Sequence, residues 1–324
     1  MTHAIVLREP GGPEKLLWEN VQVGAPGPGQ LRIHQRAIGV NFHDTYVRSG
    51  SYTTLPLPGI PGIEAAAVVE SVGAGVSGFE PGDRICYIDQ HYGGYSEARL
   101  LSAALAVRLP DWLDDEAAAC LNIKGFTACM LLRHTYRVQS GSTLLIHAAA
   151  GGVGQPLVRW AKHLGAKVIA TVGSADKAAI ARECGADRVI LYREEDFVAA
   201  VMDETRGAGV QVVYDSVGAD TFSGSLKCLG YFGTLINFGQ SSGPVPAFEV
   251  SRLASRSNAL VRPYLFHYIR DRASLEAIAQ ETFEAVKSGV VQARIGLRLP
   301  LRRASEAHVA LESRATTGAV VLLP

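Results

Sequence analysis

Residues 143–165 constrain the fold of this chain more than any other stretch. An apolar, β-prone run over 143–147 tightens into the small residues Ala148 to Gly154. It then opens into an amphipathic run over 155–164 that stops at Gly165. Strand, glycine turn and helix in that order build an anion site. Backbone N–H groups at the turn and the positive end of the helix dipole both favour a phosphate. Glycines let the main chain come close, because a Cβ there would collide with a pyrophosphate. Against the pattern G-x-G-x-x-G, the three places fall on Ala149, Gly151 and Gly154, so the first glycine is an alanine. On its own the pattern is a weak signal, since a tight turn between a buried strand and a buried helix would look the same.

Residues 167–177, downstream of the turn, narrow the ligand. A second apolar strand over 167–172 leads into Gly173-Ser174-Ala175-Asp176-Lys177. In an NAD site this strand usually ends in an acid that accepts from the ribose 2′-hydroxyl. Gly173 and Ser174 stand there instead, with Lys177 three residues on. A 2′-phosphate would be repelled by a carboxylate and held by a hydroxyl and an ammonium, so the pattern points to NADP(H). Asp176 is read as a first-turn acid of the next helix, where the dipole favours it. A solvated helix lysine is the plain alternative for Lys177.

From residue 143 onward, strands and helices alternate: strands at 167–172, 188–191, 210–214 and 234–238, helices at 175–184, 196–205 and 220–229. Such alternation predicts a doubly wound parallel sheet with helices on both faces. Residues 1–110 read differently, as short strands separated by turn pairs such as Pro10-Gly11, Pro58-Gly59 and Pro81-Gly82. A helix over 117–136 joins the two regions. Mixed character returns after residue 263, and the closing strand at 319–323 resumes the composition of the start. The expected organisation is therefore a β-rich domain, 1–122 with 263–324, interrupted by a nucleotide-binding Rossmann domain, 123–262. At 324 residues, two cores are expected.

Charge and cysteine content exclude several classes. Formal net charge is zero, so there is no basic footprint for nucleic acid and no polybasic membrane patch. No apolar run approaches the ~18 residues of a membrane span, and the N-terminus lacks a signal-peptide layout. Five cysteines without a C-x-x-C read as reduced, buried thiols of a cytoplasmic protein.

Several segments together carry a family resemblance. The turn Ala148-Ala149-Ala150-Gly151-Gly152-Val153-Gly154, Pro81-Gly82-Asp83-Arg84, Pro61-Gly62-Ile63-Glu64 and Lys124-Gly125-Phe126-Thr127-Ala128 resemble the medium-chain dehydrogenase/reductase superfamily. Gly39-Val40-Asn41-Phe42-His43-Asp44, with Tyr46 and Tyr52, is similar to its quinone oxidoreductase (ζ-crystallin-like) branch, as is the ending Glu312 to Gly318. The resemblance spans the whole chain and implies that the β-rich domain is GroES-like. Departures are local: Ala67 for a usual glycine, Ser142 for a common Asp and Arg159 for a common Gln.

Zinc-dependent relatives resemble this chain but carry a Cys near Asn41 and a His at the place of Ile63. A catalytic zinc needs three protein ligands and an open position. With Asn41 and Ile63 in those places, and no clustered cysteines, neither a catalytic nor a structural zinc site is expected. The nine histidines are dispersed; His147 reads as a satisfied core histidine and His43 as a turn contact. Hydride delivery to an already electrophilic acceptor remains, a quinone or an alkene conjugated to a carbonyl, which needs no Lewis acid. The protein must then position the ring and offer a hydrogen bond to the oxygen that gains charge. Asn41, Tyr46 and Tyr52 supply such donors on what reads as a loop, and the resemblance places them beside the nicotinamide. Ordinary turn structure is the alternative for each.

For NADPH, the resemblance implies Gly151, Gly152, Val153 and Gly154 at the pyrophosphate. It implies Ser174, Lys177 and Tyr192 at the 2′-phosphate, and Lys124 and Thr127 near the nicotinamide half. Ser216, Val217, Phe238, Gly239 and Ser241 lie just after later strand ends, where ligands of open α/β sheets bind, and Arg314 is a late basic contact. The expected activity is NADPH-dependent quinone reduction by a homodimer, the dimer being implied by the resemblance alone. An alkenal or enoyl reductase is the nearest alternative, and a non-enzymatic NADPH-binding or RNA-binding protein a more distant one. A short-chain dehydrogenase is excluded because no lysine has a tyrosine four residues before it.

Overall fold

The computed structural model describes residues 2–313 and 316–324. Arg314, one of the expected cofactor contacts, lies outside them. The chain divides into two compact units: Met1–Lys124 with Asp271–Ala279 and Ala293–Pro324, and Gly125–Arg270 with Gln280–Gln292. Residues 263–270 and 280–292 thus group with the nucleotide-binding region, not with the β-rich one as their composition suggested. Local contacts explain it: Thr135 Oγ1 donates to Tyr268 Oη, and Phe126 meets Phe283 edge to face.

In the first unit, β1 (Thr2–Leu7) and β2 (Leu16–Val21) form an antiparallel ribbon. The sheet is built on β3 (Gln30–Val40), which runs into a helix, α1 (Phe42–Ser49). It continues with β4 (Glu64–Val72), β5 (Arg84–Ile88), β6 (Ala98–Ser102) and β7 (Ala106–Arg108). Along β3, Leu31 and Ile33 point into the core while Arg32 and His34 point out, the period of two that a half-buried strand requires. The stretch after Asn41 is helical, not the expected loop. Asp44 Oδ2 accepts from Asn41 N at the helix start, and Gly50 closes it with φ 82°.

The long helix α2 (Asp115–Cys129) leads into the second unit. There the strands β8 (Thr143–Ile146), β9 (Lys167–Val172), β10 (Arg188–Leu191), β11 (Val210–Asp215), β12 (Leu229–Asn237) and β13 (Ala259–Val261) lie parallel. Their order is β10-β9-β8-β11-β12-β13, so the direction of winding reverses between β8 and β11. Such a switch point is where open α/β sheets bind ligands. The connecting helices are α3 (Gly154–His163), α4 (Ala175–Glu183), α5 (Phe197–Glu204) and α6 (Phe222–Cys228). Leu157, Val158 and Ala161 of α3 are buried, while Lys162 and Arg159 reach solvent, the 3.6-residue pattern of a helix laid on a sheet.

After α7 (Leu265–Tyr268) and α8 (Arg272–Lys287), the strands β14 (Ile295–Pro300) and β15 (Ala319–Leu323), with α9 (Ala304–Glu312) between them, return to the first sheet. Its order is β14-β15-β3-β4-β5-β7. β15 takes one half of an edge of β3, with Val320 opposite Val40, and β6 the other half, with Leu31 opposite Leu101. Among the described residues, no helix is long and apolar enough to cross a membrane.

Candidate active site

The glycine turn in the second unit is shaped by contact distances. Ala148 takes a left-handed φ of 50°, and Gly151 N donates back to its carbonyl at 2.9 Å. A Cβ on Gly154 would stand 2.3 Å from that same carbonyl oxygen, so the helix can start this close to the strand only with glycine. Gly151, Gly152 and Val153 are half-buried at the N-terminus of α3. Gln155 N and Leu157 N donate back to Gly151 O and Val153 O, and Pro156 carries no N–H, so the turn itself rather than the first turn of the helix presents N–H groups to a ligand. These are the features a pyrophosphate site needs, and the turn fits the cofactor expected from the sequence.

The position after β9 that lacks an acid lies against the Tyr192 side chain. A Cβ on residue 173 would come within 2.9 Å of Tyr192 Oη, so any side chain there would require the phenol to shift. Ser174 caps α4, with its Oγ accepting from Lys177 N at 3.5 Å. Ser174 and Lys177 follow the end of β9 and Tyr192 follows the end of its neighbour β10, so the three lie at adjacent strand ends. Asp176 sits in the first turn of α4, as expected.

Behind the turn lies a buried polar chain. His147 stands between Thr171 Oγ1 at 2.8 Å and Ser225 Oγ at 3.0 Å. Ser225 donates on to Asp215 Oδ2, which leaves His147 Nε2 as donor and Nδ1 as acceptor in a neutral ring. Burial lowers the pKa of that ring, against the opposing pull of Asp215. Asp215 Oδ1 also accepts from Val217 N at 2.8 Å and Gly218 N at 3.0 Å, and so shapes the Ser216–Val217 loop. Ser241 N donates to Ser216 O, and Phe238 N to Asp215 O, which brings the Phe238–Gly239–Ser241 loop alongside. Arg262 braces it from β13's end by donating to Gly239 O at 3.2 Å. The sequence points to the loops but to neither Asp215 nor Arg262. Thr127 is half-buried on α2.

In the first unit, Asn41, Lys124 and Glu64 close a triangle. Lys124 Nζ donates to Asn41 Oδ1 at 2.9 Å and to Glu64 Oε1 at 3.0 Å, while Asn41 Nδ2 donates to Glu64 Oε1 at 2.8 Å. Ile123 N satisfies the other carboxylate oxygen at 2.6 Å. Glu64 is fully buried and Lys124 5% exposed, so the pair is screened from water. Gly39 makes the room: a Cβ there would lie 2.2 Å from Glu64 Oε1. Lys124, expected at the cofactor, is thus held by Asn41, near the place of a zinc-ligating Cys in metal-dependent relatives, and by Glu64, the neighbour of Ile63. Ile63, at the remaining position, packs with Val47 and Tyr92 and offers no ligand atom.

Asp44 lies beneath this triangle, fully buried, with Oδ2 accepting from Asn41 N and from Tyr95 Oη at 3.1 Å. Burial, reinforced by the nearby Glu64 charge, pushes its pKa up to about 7. Its Oδ1 has no partner, consistent with a neutral carboxyl. Tyr95 Oη also meets His308 Nε2 at 3.0 Å, and burial drives that imidazole down to about 3. Tyr46 and Tyr52 form an edge-to-face pair, centroids 5.2 Å apart, joined by Tyr52 N donating to Tyr46 O. His43 meets the Tyr52 ring edge to face and stacks on Tyr92, with its Nε2 3.1 Å from Tyr92 Oη, a contact beyond the local turn expected of it. Desolvation lowers its pKa to about 4.

Comparison with known proteins gives a consistent match. A family model described as "Alcohol dehydrogenase GroES-like domain" matches residues 27–111, and one described as "Zinc-binding dehydrogenase" matches 152–282. A 2-haloacrylate reductase of Burkholderia sp is 44% identical over 100% of this chain and 99% of its own. A quinone oxidoreductase of Pseudomonas aeruginosa is 44% identical over 97% of each chain. The crystal structure of Escherichia coli quinone oxidoreductase complexed with NADPH superposes with a TM-score of 0.97 at 42% identity, covering 100% of both chains.

Proposed function

Since the chain belongs to the quinone oxidoreductase family of the medium-chain dehydrogenases/reductases, we propose that it catalyses NADPH-dependent, metal-free reduction of a quinone. The bonded set of Asn41, Lys124 and Glu64 carries the chemical part of this function. Two N–H bonds of Lys124 Nζ are directed to Asn41 and Glu64, which leaves a third for the oxygen that gains charge. A fixed ammonium there does electrostatically what a Lewis acid would do, without reorganising during the reaction. Glu64 balances the ammonium and holds it in place, and Asn41 keeps a second Nδ2 hydrogen for the same oxygen. Tyr46 and Tyr52 form the aromatic wall against which a flat acceptor stacks.

Gly151 to Gly154 would hold the pyrophosphate of NADPH, and Ser174, Lys177 and Tyr192 its 2′-phosphate. The cofactor supplies the hydride when bound. Ser216, Val217, Phe238, Gly239 and Ser241 line the strand ends beside it, and Thr127 serves the nicotinamide half. The family likeness also supports a cytoplasmic homodimer, which sedimentation velocity at two concentrations tests.

NADPH oxidation measured with a benzoquinone, an alkenal and an enoyl thioester tests the proposal. Quinone turnover is expected to exceed the others. Alkenal reduction without quinone turnover would overturn it in favour of alkene reduction, a second reading that the 2-haloacrylate reductase relative favours.

A further inference from the structure

The second unit contains a cluster of metal-ligating side chains that the hydride chemistry does not use: Cys129, His134 and Glu281. Their donor atoms lie within 4.8 Å of one another. Cys129 Sγ is 3.8 Å from Glu281 Oε2, and His134 Nε2 is 3.4 Å from Glu281 Oε1. Nothing in the sequence suggests the grouping, because the cysteine and the acid are 152 residues apart.

The backbone explains how the first two donors come together. Cys129 ends α2, and Met130–Thr135 continues it as a π-helix, with Tyr136 N donating to Leu131 O, five residues back. On an α-helix at 3.6 residues per turn, residue 134 would point well away from residue 129. A π turn bonds each residue to the one five back, so it stacks Cys129 and His134 on one face. Widened helical turns of this kind are costly and concentrate at functional positions. Glu281 projects from α8 onto that face.

We propose that Cys129, His134 and Glu281 bind a single zinc-class divalent cation, with the fourth position open to water. A thiolate, an imidazole and a carboxylate suit zinc among the common divalent ions. Tetrahedral zinc with ordinary bond lengths sets its sulfur and oxygen ligands about 3.5 Å apart and its nitrogen and oxygen ligands about 3.3 Å apart. The observed 3.8 Å and 3.4 Å run to the two different oxygens of the Glu281 carboxylate, so a rotation of that side chain together with a small contraction is needed to bring one oxygen to both partners. His134 and Glu281 are about one-third exposed, which opens a path from solvent to the buried sulfur.

Two features oppose the cation and set its conditions. Arg133 Nε donates to Glu281 Oε2 at 3.1 Å, so the guanidinium occupies the carboxylate until displaced; its half-exposed side chain is free to swing outward. Cys129 is a thiol, held protonated by burial and by Glu281. Binding therefore exchanges one proton for the metal: the S–H bond breaks, an S–Zn bond forms and the proton leaves to solvent, with no change of oxidation state. Affinity must then rise with pH. The bound ion would fasten the end of α2 to α8, and it stands apart from the hydride site in both residues and chemistry.

Full-length protein, stripped with a chelator and titrated with Co2+, tests this. One equivalent should produce a thiolate-to-cobalt charge-transfer band with the strong visible bands of four-coordination, and Zn2+ should displace both. Cys129→Ser should abolish the charge-transfer band. His134→Ala and Glu281→Gln, at the exposed side where folding is not at risk, should each weaken binding about tenfold or more. Arg133→Ala removes the competitor and should tighten it. Absence of the band in the wild-type protein would overturn the proposal, as would a band unaffected by Cys129→Ser and His134→Ala.

Discussion

Replacing Glu64 by Gln tests the triangle directly. The substitution keeps the shape but removes the charge facing Lys124, whose ammonium is almost wholly buried. Glu64 Oε1 already accepts from both Asn41 and Lys124, so the amide oxygen must stay there. The new NH2 group then faces Ile123 N–H, donor against donor, where the carboxylate accepted at 2.6 Å. Breaking a buried pair by removing one partner costs about 3–5 kcal/mol, because a charge is left uncompensated. For a unit of this size that lowers the melting temperature by roughly 10 °C. Lys124→Met leaves the opposite charge stranded and should cost a similar amount. The double variant strands neither, so it should be more stable than either single one, with a coupling of about 3 kcal/mol. Urea unfolding of the four proteins, followed by far-UV dichroism and fluorescence, measures the cycle. Both Lys124 variants should also lose about 100-fold or more in kcat/KM for quinone, the scale of removing one preorganised donor. Additive stability losses, or a Lys124→Met enzyme with undiminished turnover, would refute the reasoning.

Other parts of the structure give three further expected outcomes. Lys177→Ala should raise KM for NADPH about tenfold while leaving NADH unchanged, since only the former has a 2′-phosphate; equal losses would remove Lys177 from that pocket. Gly154→Ala drives a methyl onto Ala148 O and must displace the turn, so NADPH binding followed by fluorescence should weaken by at least about tenfold, whereas an unchanged affinity would mean the turn is not the phosphate site. Asp44 has its folded pKa raised to about 7 from an ordinary value near 4, so between those limits the folded state binds more protons and stability falls as pH rises. Relative to Asp44→Asn, the wild-type protein should therefore lose about 4 kcal/mol at most between pH 4 and pH 8, and a constant difference across that range would exclude a protonated Asp44.

The second unit is legible in the sequence because its information is local. Each strand, turn and helix between residues 143 and 238 announces itself within a few neighbours, and the cofactor residues fall at consecutive strand ends. Even the missing acid at Gly173 is visible, although the phenol of Tyr192 that packs against that position is 19 residues away and beyond the reach of a motif. The first unit depends on distant pairings. β3 is completed by β15 from the far end of the chain, and no sequence pattern states that register. α1 resembles a loop because eight residues between two β regions give little periodicity, yet Asn41 with Asp44 and the closing Gly50 are the helix signals that identify it. Lys124 stands out only through family likeness, and its partner Glu64 only through the histidine missing beside it. Asp44, Tyr95 and His308 converge from three separate segments, and burial, the property that makes them interesting, cannot be read from the letters.

Gly39 belongs among the residues of the site although it can touch no substrate. Its missing methyl is the volume in which the Glu64 carboxylate sits, and through that carboxylate it sets where the Lys124 ammonium stands. Anyone grafting this centre onto another β scaffold would copy Asn41, Glu64 and Lys124 and find the acid evicted if an alanine remained on the neighbouring strand. The blueprint for such a graft must therefore specify an empty space as strictly as it specifies the three side chains.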